Sequence, residues 1–274
     1  MTASAGGQAS EVPGLASPSC PADEDKPGER RFGGVARLLG DDALARLAAS
    51  HVVVVGIGGV GSWCAEALAR SGIGALTLVD LDHVAESNIN RQIHALDSTL
   101  GAAKAQTMAV RIAQISPACQ VHVVDDFITP ENAAALLPGD AILVDAIDQP
   151  RAKAAMIAVA VSRGQSLVVC GAAGGVADGL GLKRGDLAHT RGDPLLASVR
   201  ARLRRNHGFT RELKRAFKVD ALYFPHQRPA RGSMSAEAGS PLACAGYGSI
   251  VTVTAAMGLA AAGLAIEMAI RNRR

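Results

Sequence analysis

The sequence predicts an α/β protein built on a doubly wound, mainly parallel sheet, and three observations predict it. Short apolar runs at Val52–Val55, Ala75–Val79, Val121–Val124, Ala141–Val144 and Leu167–Cys170 alternate with stretches of helical character, the spacing of strand–helix–strand units. The first run is continuous and β-branched, as a strand buried on both faces requires. Glycine-rich or polar residues follow the runs, at the carboxyl ends where open parallel sheets hold their ligands.

Taken in order, residues 1–28 are rich in Ala, Gly, Ser and Pro and have no apolar period. They are expected to be a disordered tail, with 29–274 forming one domain. Arg30 and Arg31, followed by Phe32-Gly33-Gly34, break that composition, and Asp41–Ala49 reads as a short helix leading into the first strand. Arg30, Arg31 and Arg37 are either a phosphate-seeking arm or solvated charge.

After Val55 come Gly56, Gly58, Gly59 and Gly61, then a helix over Ser62–Arg70. Glycines at such a strand–helix junction allow a tight turn and a close approach to phosphate, and the helix start offers unpaired N–H groups. The second strand ends at Asp80, where an acid bonds a ribose hydroxyl in a Rossmann-like nucleotide site. Beyond it, Arg91 suits bidentate contact with phosphate, and Asn88 suits ribose or phosphate oxygens. A helix over Gly101–Ile115 carries Lys104 in its first turn, a point charge for phosphate. A helix at Glu131–Leu137 precedes the fourth strand, which runs into Asp145-Ala146-Ile147-Asp148. Asp148 is the candidate magnesium ligand, and a cap for the helix Arg151–Ser162 is its structural alternative. The fifth strand ends in the loop Gly171–Gly175, on the same edge.

From Lys183 to Arg231 the composition turns basic, with thirteen lysines and arginines against four acids. This segment reads as an insertion of about 183–231 that neutralises a polyphosphate backbone, or as a solvated helical face. Arg200, Arg202, Arg204, Arg205, Lys214 and Arg215 are the candidate contacts. The apolar stretch Ser249–Ile270 touches the ~20 residues that span a bilayer. Thr252, Thr254 and Glu267 interrupt it, so a core or dimer-interface helix is expected, without stable membrane insertion.

The hydrophobic fraction is 49% with 3% aromatic, the composition of an Ala/Val/Leu core, and the net charge is +3. Five cysteines at 20, 64, 119, 170 and 244 form no close pair, which excludes a disulfide framework and a CxxC zinc site and fits a reducing compartment. The N-terminus has no basic segment followed by an apolar run, so no signal peptide and a cytoplasmic location are expected.

GIGGVGS, LVDLD, SNINRQ, GAAKA and DAID, in this order, resemble the ubiquitin-activating-enzyme-like, ThiF-type adenylating enzymes. The resemblance implies a homodimer using ATP and Mg2+. Gly58 and Gly59 would hold phosphate, Asp80 the ribose, and Asn88, Arg91 and Lys104 the phosphates. Gly61, Asp82 and Gln92 fall in the same nucleotide-binding set, and Asp148 matches the family's magnesium and catalytic aspartate. RFGGVARLLG, NRQIHAL, VVDDFITPEN, DAIDQPRAKAAMI and DLAHTRGDPLLASVRARLR are similar to the branch of tRNA threonylcarbamoyladenosine dehydratases. That branch implies carboxylate adenylation and ring closure on tRNA, with catalytic roles for Asp148, Arg91 and Lys104. A sulfur-transfer or helper protein is a further partner to consider. Gly34 stands where the superfamily's arm often has its second arginine, so Arg31 or Arg37 would have to serve. Phe224-Pro225-His226 replaces an expected Ser/Thr-Glu pair. Cys244 is either a covalent nucleophile or a packed thiol. Adenylation of a sulfur-carrier protein's C-terminus is the alternative function. A nicotinamide oxidoreductase fits less well, because it gives Lys104 and Asp148 no purpose.

Overall fold

The valine run forms strand β1 (His51–Val55), whose last four residues are all buried. It lies inside a seven-stranded sheet, because only a strand with neighbours on both sides and helices on both faces needs an unbroken apolar run. The computed structural model describes residues 27–225 and 248–271. In the order β3 (Gln120–Val124), β2 (Ala75–Val79), β1, β4 (Ile142–Asp145), β5 (Leu167–Cys170), β7 (Asp220–Tyr223), β6 (Lys183–Asp186), neighbours are hydrogen-bonded. All pairs are parallel except β6 with β7. Val55 is opposite Val79 on one side and Asp145 on the other. The strand order therefore reverses beside the end of β1, and a crevice opens there.

Alternate residues face opposite layers. Val52, Val54, Leu76 and Leu78 pack with Leu68 of α3 (Gly61–Arg70), Met108 and Ile112 of α4 (Lys104–Ile115), and Met257 and Ala261 of α8 (Val251–Arg271). Val53, Val55 and Leu143 pack with Ile157 of α6 (Pro150–Ser162) and with Leu196, Val199 and Leu203 of α7 (Pro194–Asn206). The four-residue helix α5 (Ala133–Leu136) joins this second layer through Ala133. Leu47 of α2 (Asp41–Ala48) belongs to the first.

One expectation needs correction at this level. The N-terminal boundary differs, because helix α1 (Pro27–Leu39) begins inside the stretch read as tail. The two units of the chain divide between Arg31 and Phe32; the earlier residues 1–26 lie outside the described ones. Residues 183–225 of the basic segment supply β6 and β7 to the sheet and bury one face of α7.

α8 is long and apolar enough to cross a membrane, with a mean hydropathy of 1.8 in its most apolar window, but half of that window is buried inside the protein. Gly258 explains the packing: a Cβ there would lie 2.4 Å from Val60 O and 2.9 Å from Trp63 Cβ. Only hydrogen lets the two helices approach this closely. Glu267 pairs with Arg184 at 3.1 Å and with Arg271, so the charge that interrupts the apolar run is used in the fold.

α3 and α4 are tied by the buried Glu66, whose carboxylate accepts from Arg70 Nε at 2.7 Å and Arg111 Nε at 2.7 Å. Burial alone would raise its pKa, but the hydrogen bonds from Arg111 and Arg70 prevail and hold it below the ordinary value of 4.5. A carboxylate with a depressed folded pKa contributes stability above its unfolded pKa and loses it as pH falls through the folded value. The melting temperature should therefore drop as pH falls below about 4.5. Glu66→Gln should cost about 1.5 to 3 kcal/mol at pH 7, the worth of hydrogen bonds to a charged group. It should also flatten that acid limb, and an unchanged limb would remove Glu66 from the account.

Candidate nucleotide and carboxylate site

The turn after β1 is made by the backbone. Gly56 has φ +87°, in the left-handed region, and a Cβ on Gly61 would lie 1.8 Å from Gly56 O. The start of α3 therefore sits directly on the end of β1. Asp80, buried at the end of β2, accepts from Ile57 N at 2.6 Å and from Asp82 N at 2.8 Å. Burial raises its pKa, while the two backbone N–H groups and Lys104 pull it down; the net direction is upward. An acid already accepting two N–H bonds braces the glycine turn before any ligand arrives.

Lys104 opens α4 with its side chain almost wholly buried, and its Nζ lies 2.9 Å from Asp82 Oδ2. The loop between β2 and α4 is stitched by side chains. Asn88 Oδ1 accepts from Ala85 N at 3.1 Å, and Arg91 Nη1 donates to Ser87 O at 2.6 Å and to Asn90 Oδ1 at 3.0 Å. Trp63 Nε1 donates to Arg91 O at 3.0 Å, and Thr254 Oγ1 to the same oxygen at 3.3 Å. α3 and α8 thus set the Arg91 backbone over Gly59, whose missing Cβ would come 3.3 Å from Arg91 Cγ. Gln92 is buried, and its Oε1 has no hydrogen-bond partner.

These residues line one cavity of about 470 Å³. Gly58, Gly59, Asp80, Asp82, Asn88, Arg91, Gln92, Lys104 and Asp148 all border it, so the fold brings together every one of the sequence-chosen nucleotide and metal residues except Gly61. Gly61 is absent from the wall because it lies under the turn. Asp148 is exposed; the cap position of α6 is Gln149, without a side-chain cap bond, so Asp148 is not used as the helix cap. Among the described residues no group of three or more His, Cys, Asp or Glu is placed to hold a metal. A single carboxylate facing a phosphate site fits magnesium, which keeps water and phosphate oxygens as its other ligands.

Sequence reasoning missed part of the wall. Asp126, Phe127 and Ile128 after β3, and Pro194, Leu195 and Ser198 at the start of α7, all line it. The signal for the first group was its place at the carboxyl end of a strand. For the second it was Asp193, whose Oδ1 caps α7 at Leu196 N and whose Oδ2 accepts from Ala172 N, both at 2.9 Å. This carboxylate joins α7 to the Gly171–Gly174 wall.

The six cations chosen for nucleic acid separate. Arg200 donates to Thr190 Oγ1. Arg204 donates to Thr210 O at 3.2 Å and stacks 5.1 Å from the Phe217 ring centroid. Arg202 is half-buried, whereas Arg205, Lys214 and Arg215 are exposed. Arg228, Arg231 and Cys244 lie outside the described residues. Of the described thiols, burial pushes Cys170 up to about 12, Cys119 up to about 11 and Cys64 upward as well. None of the three is a thiolate at neutral pH.

The ThiF family model matches residues 33–273. The chain is 47% identical over 248 residues to the tRNA threonylcarbamoyladenosine dehydratase of Escherichia coli (strain K12), covering 87% of this chain and 92% of that one. The solved E. coli tRNA N6-threonylcarbamoyladenosine dehydratase in complex with ATP superposes with a TM-score of 0.79 at 43% identity, covering 90% of this chain and 97% of that one. Its complex with AMP gives a TM-score of 0.80 at 43% identity, with the same coverage.

Proposed function

The chain belongs to the ThiF family, and from that premise we propose that it dehydrates threonylcarbamoyladenosine in tRNA with ATP, releasing AMP and pyrophosphate. One observation carries the reading. A single cavity is walled by phosphate-loop glycines with Arg91 and Lys104 on one side and by Asp148 and the Gly171–Gly174 loop on another. A nucleotide and a carboxylate substrate can therefore meet there.

In the first step a carboxylate oxygen of the threonyl group attacks the α-phosphorus of ATP, and the bond to the β-phosphate breaks. Arg91 and Lys104 stabilise the negative charge that develops on the phosphates. Asp148 would hold a magnesium ion, which would supply further charge neutralisation on the phosphates. Asp80, which borders the same cavity, would accept from a ribose hydroxyl. In the second step an internal nucleophile of the modified base attacks the acyl carbon, loses its proton, and expels AMP with the former carboxylate oxygen. The net change is loss of one water. Because the attack is intramolecular, proximity supplies much of the rate, in keeping with the raised thiol pKa of each described cysteine.

The carboxylate of a sulfur-carrier protein would adenylate by the same first step, but without tRNA. The test is to incubate the full chain with ATP, magnesium and tRNA bearing threonylcarbamoyladenosine. AMP and pyrophosphate should appear only with modified tRNA, and nucleoside mass spectrometry should show loss of one water. Release driven by a Gly-Gly-ended protein alone would favour the alternative. We also read the chain as a cytoplasmic homodimer, supported by Ile89, Leu96 and Leu100, exposed by 43%, 51% and 42% on the crossover before α4. Arg37, in the last turn of α1, is the candidate arm cation.

tRNA contact is proposed for Arg205, Lys214 and Arg215, the fully exposed members of the original six. Reversing these three to glutamate should raise the apparent tRNA constant and lower the log–log salt slope by about 0.7 to 0.9 per lost phosphate contact. ATP binding should not change. If the triple variant binds like wild type across salt concentrations, tRNA docks elsewhere. Arg204→Glu makes a poor control, because it also removes the cation from the Phe217 ring.

A further inference from the structure

Lys153 is among the largest fully buried side chains of the described residues, set in α6 among Ala152, Ala154, Ala155, Met156 and Ile157. A buried ammonium is costly unless it is paired and hydrogen-bonded. Here it is, and all its partners lie in one turn. Lys153 Nζ is 2.6 Å from Asp145 Oδ1, 2.8 Å from Ile147 O and 3.5 Å from Asp145 O. Neither carboxylate nor ammonium reaches solvent, and Lys153 does not line the cavity. The same turn is held from the other side, where Ala146 N donates to Val55 O at 2.9 Å and Ile147 N to Asp145 Oδ1 at 3.3 Å. The next residue is Asp148.

Burial raises the pKa of both Asp193 and Cys170, and the nearby Lys153 ammonium lowers each in part. Asp193 caps the start of α7 directly before Pro194–Leu195, and Cys170 ends β5 directly before Gly171–Gly174, two other walls of the cavity. A hydrophobic pair of similar volume would satisfy packing at less cost. What it would lack is a donor for Ile147 O.

We propose that Lys153 is a positioning residue for the reaction: by clamping Asp145 and Ile147 O it fixes the turn that presents Asp148, without touching nucleotide or substrate. The inference rests on the role given to Asp148. Lys153 binds no ligand and transfers no proton; it removes freedom from the turn, and a carboxylate displaced by even an ångström loses much of its effect.

The test uses the full chain with three variants, Lys153→Met, Asp145→Leu/Lys153→Met and Asp148→Ala, each assayed for melting temperature, ATP affinity by calorimetry, and kcat and KM for tRNA-dependent AMP release. Lys153→Met alone strands Asp145 and should unfold at much lower temperature. The double variant removes both charges and should melt near wild type and bind ATP within about threefold, yet lose about tenfold or more in kcat, the order of loss that misplacement produces. A folded double variant with wild-type kcat overturns the proposal. If Asp148→Ala keeps wild-type kcat, the role of Asp148 fails instead, whatever the double variant does. Hydrogen exchange in the wild-type chain needs no variant to fold: the Ala146 and Ile147 amides should exchange only through global unfolding. Exchange at open-loop rates would equally overturn the clamp.

Discussion

Lys104→Ala should lower AMP and pyrophosphate release by about 100-fold or more while leaving the melting temperature within a few degrees, since removing one preorganised charge stabiliser costs about 3 to 4 kcal/mol of barrier. The two readouts separate because of how Lys104 is held. Its side chain is only 9% exposed, but its partner Asp82 is 55% exposed. When the ammonium goes, the Asp82 carboxylate is rehydrated and no charge is stranded, so stability changes little. Catalysis has no such compensation, because a phosphate in the cavity would face Asp80 and Asp82 with one cation fewer. Loss of Lys104 also removes one of the influences that lower the Asp80 pKa. Asp148→Ala should show the same pattern, its side chain being exposed and uncapped. Near-wild-type pyrophosphate release at saturating ATP and magnesium by either variant would strike that residue from the mechanism. A large fall in melting temperature for Lys104→Ala would mean that its ion pair with Asp82 is structural.

How much of this was legible depended on whether a residue's burial matched its chemistry. β1, β2, β4 and β5 were read within a residue of their observed bounds, because strands buried on both faces must be apolar. β6 was not read at all: Lys183-Arg184-Gly185-Asp186 is an edge strand, and a charged edge carries no apolar pattern. Arg184 looked like a solvated cation, yet it bonds Asp220 at 3.0 Å across to β7, which no local pattern encodes. α1 was not read, because Gly33 and Gly34, which lie inside it, have low helix propensity. Among the residues lining the cavity, those placed by their spacing along the chain from a strand's carboxyl end were found. The ones missed, Phe127 and Ser198, reach the cavity only because β3 ends and α7 begins beside it. Lys153 was missed for the opposite reason: a lysine in an apolar helix normally extends its charge to water, and this one points inward to Asp145.

Gly61→Ala should fail at an earlier level than Lys104→Ala, losing ATP binding and stability together. The added Cβ would sit 1.8 Å from Gly56 O and 2.9 Å from Gly56 C, both backbone atoms. Relief requires either the turn or α3 to move, and each is held. Gly56 N is fixed to Val79 O at 2.9 Å, and any Cβ-sized shift of Gly56 meets Ile147 Cγ2 and the Ala146 carbonyl, 2.9 and 3.1 Å from its own absent Cβ. α3 cannot withdraw freely, because its start touches α8 at Gly258 through Val60 O and Trp63 Cβ. Overpacking of this kind costs about 1 to 3 kcal/mol and occasionally more. With no flexible side chain to yield, the upper end applies, which lowers the melting temperature by roughly 6 to 12 °C for a chain of this size. Gly59→Ala is the informative contrast. Its Cβ would meet Thr254 Cγ2 at 3.1 Å and Arg91 Cγ at 3.3 Å, side-chain atoms that can shift by a few tenths of an ångström. That variant should fold normally and bind ATP more weakly, since the methyl group enters the cavity wall. Thermal melts and ATP calorimetry on the pair decide the matter. If Gly61→Ala melts with wild type and binds ATP, the start of α3 is free to move, and the glycine turn is not fixed by the packing that surrounds it.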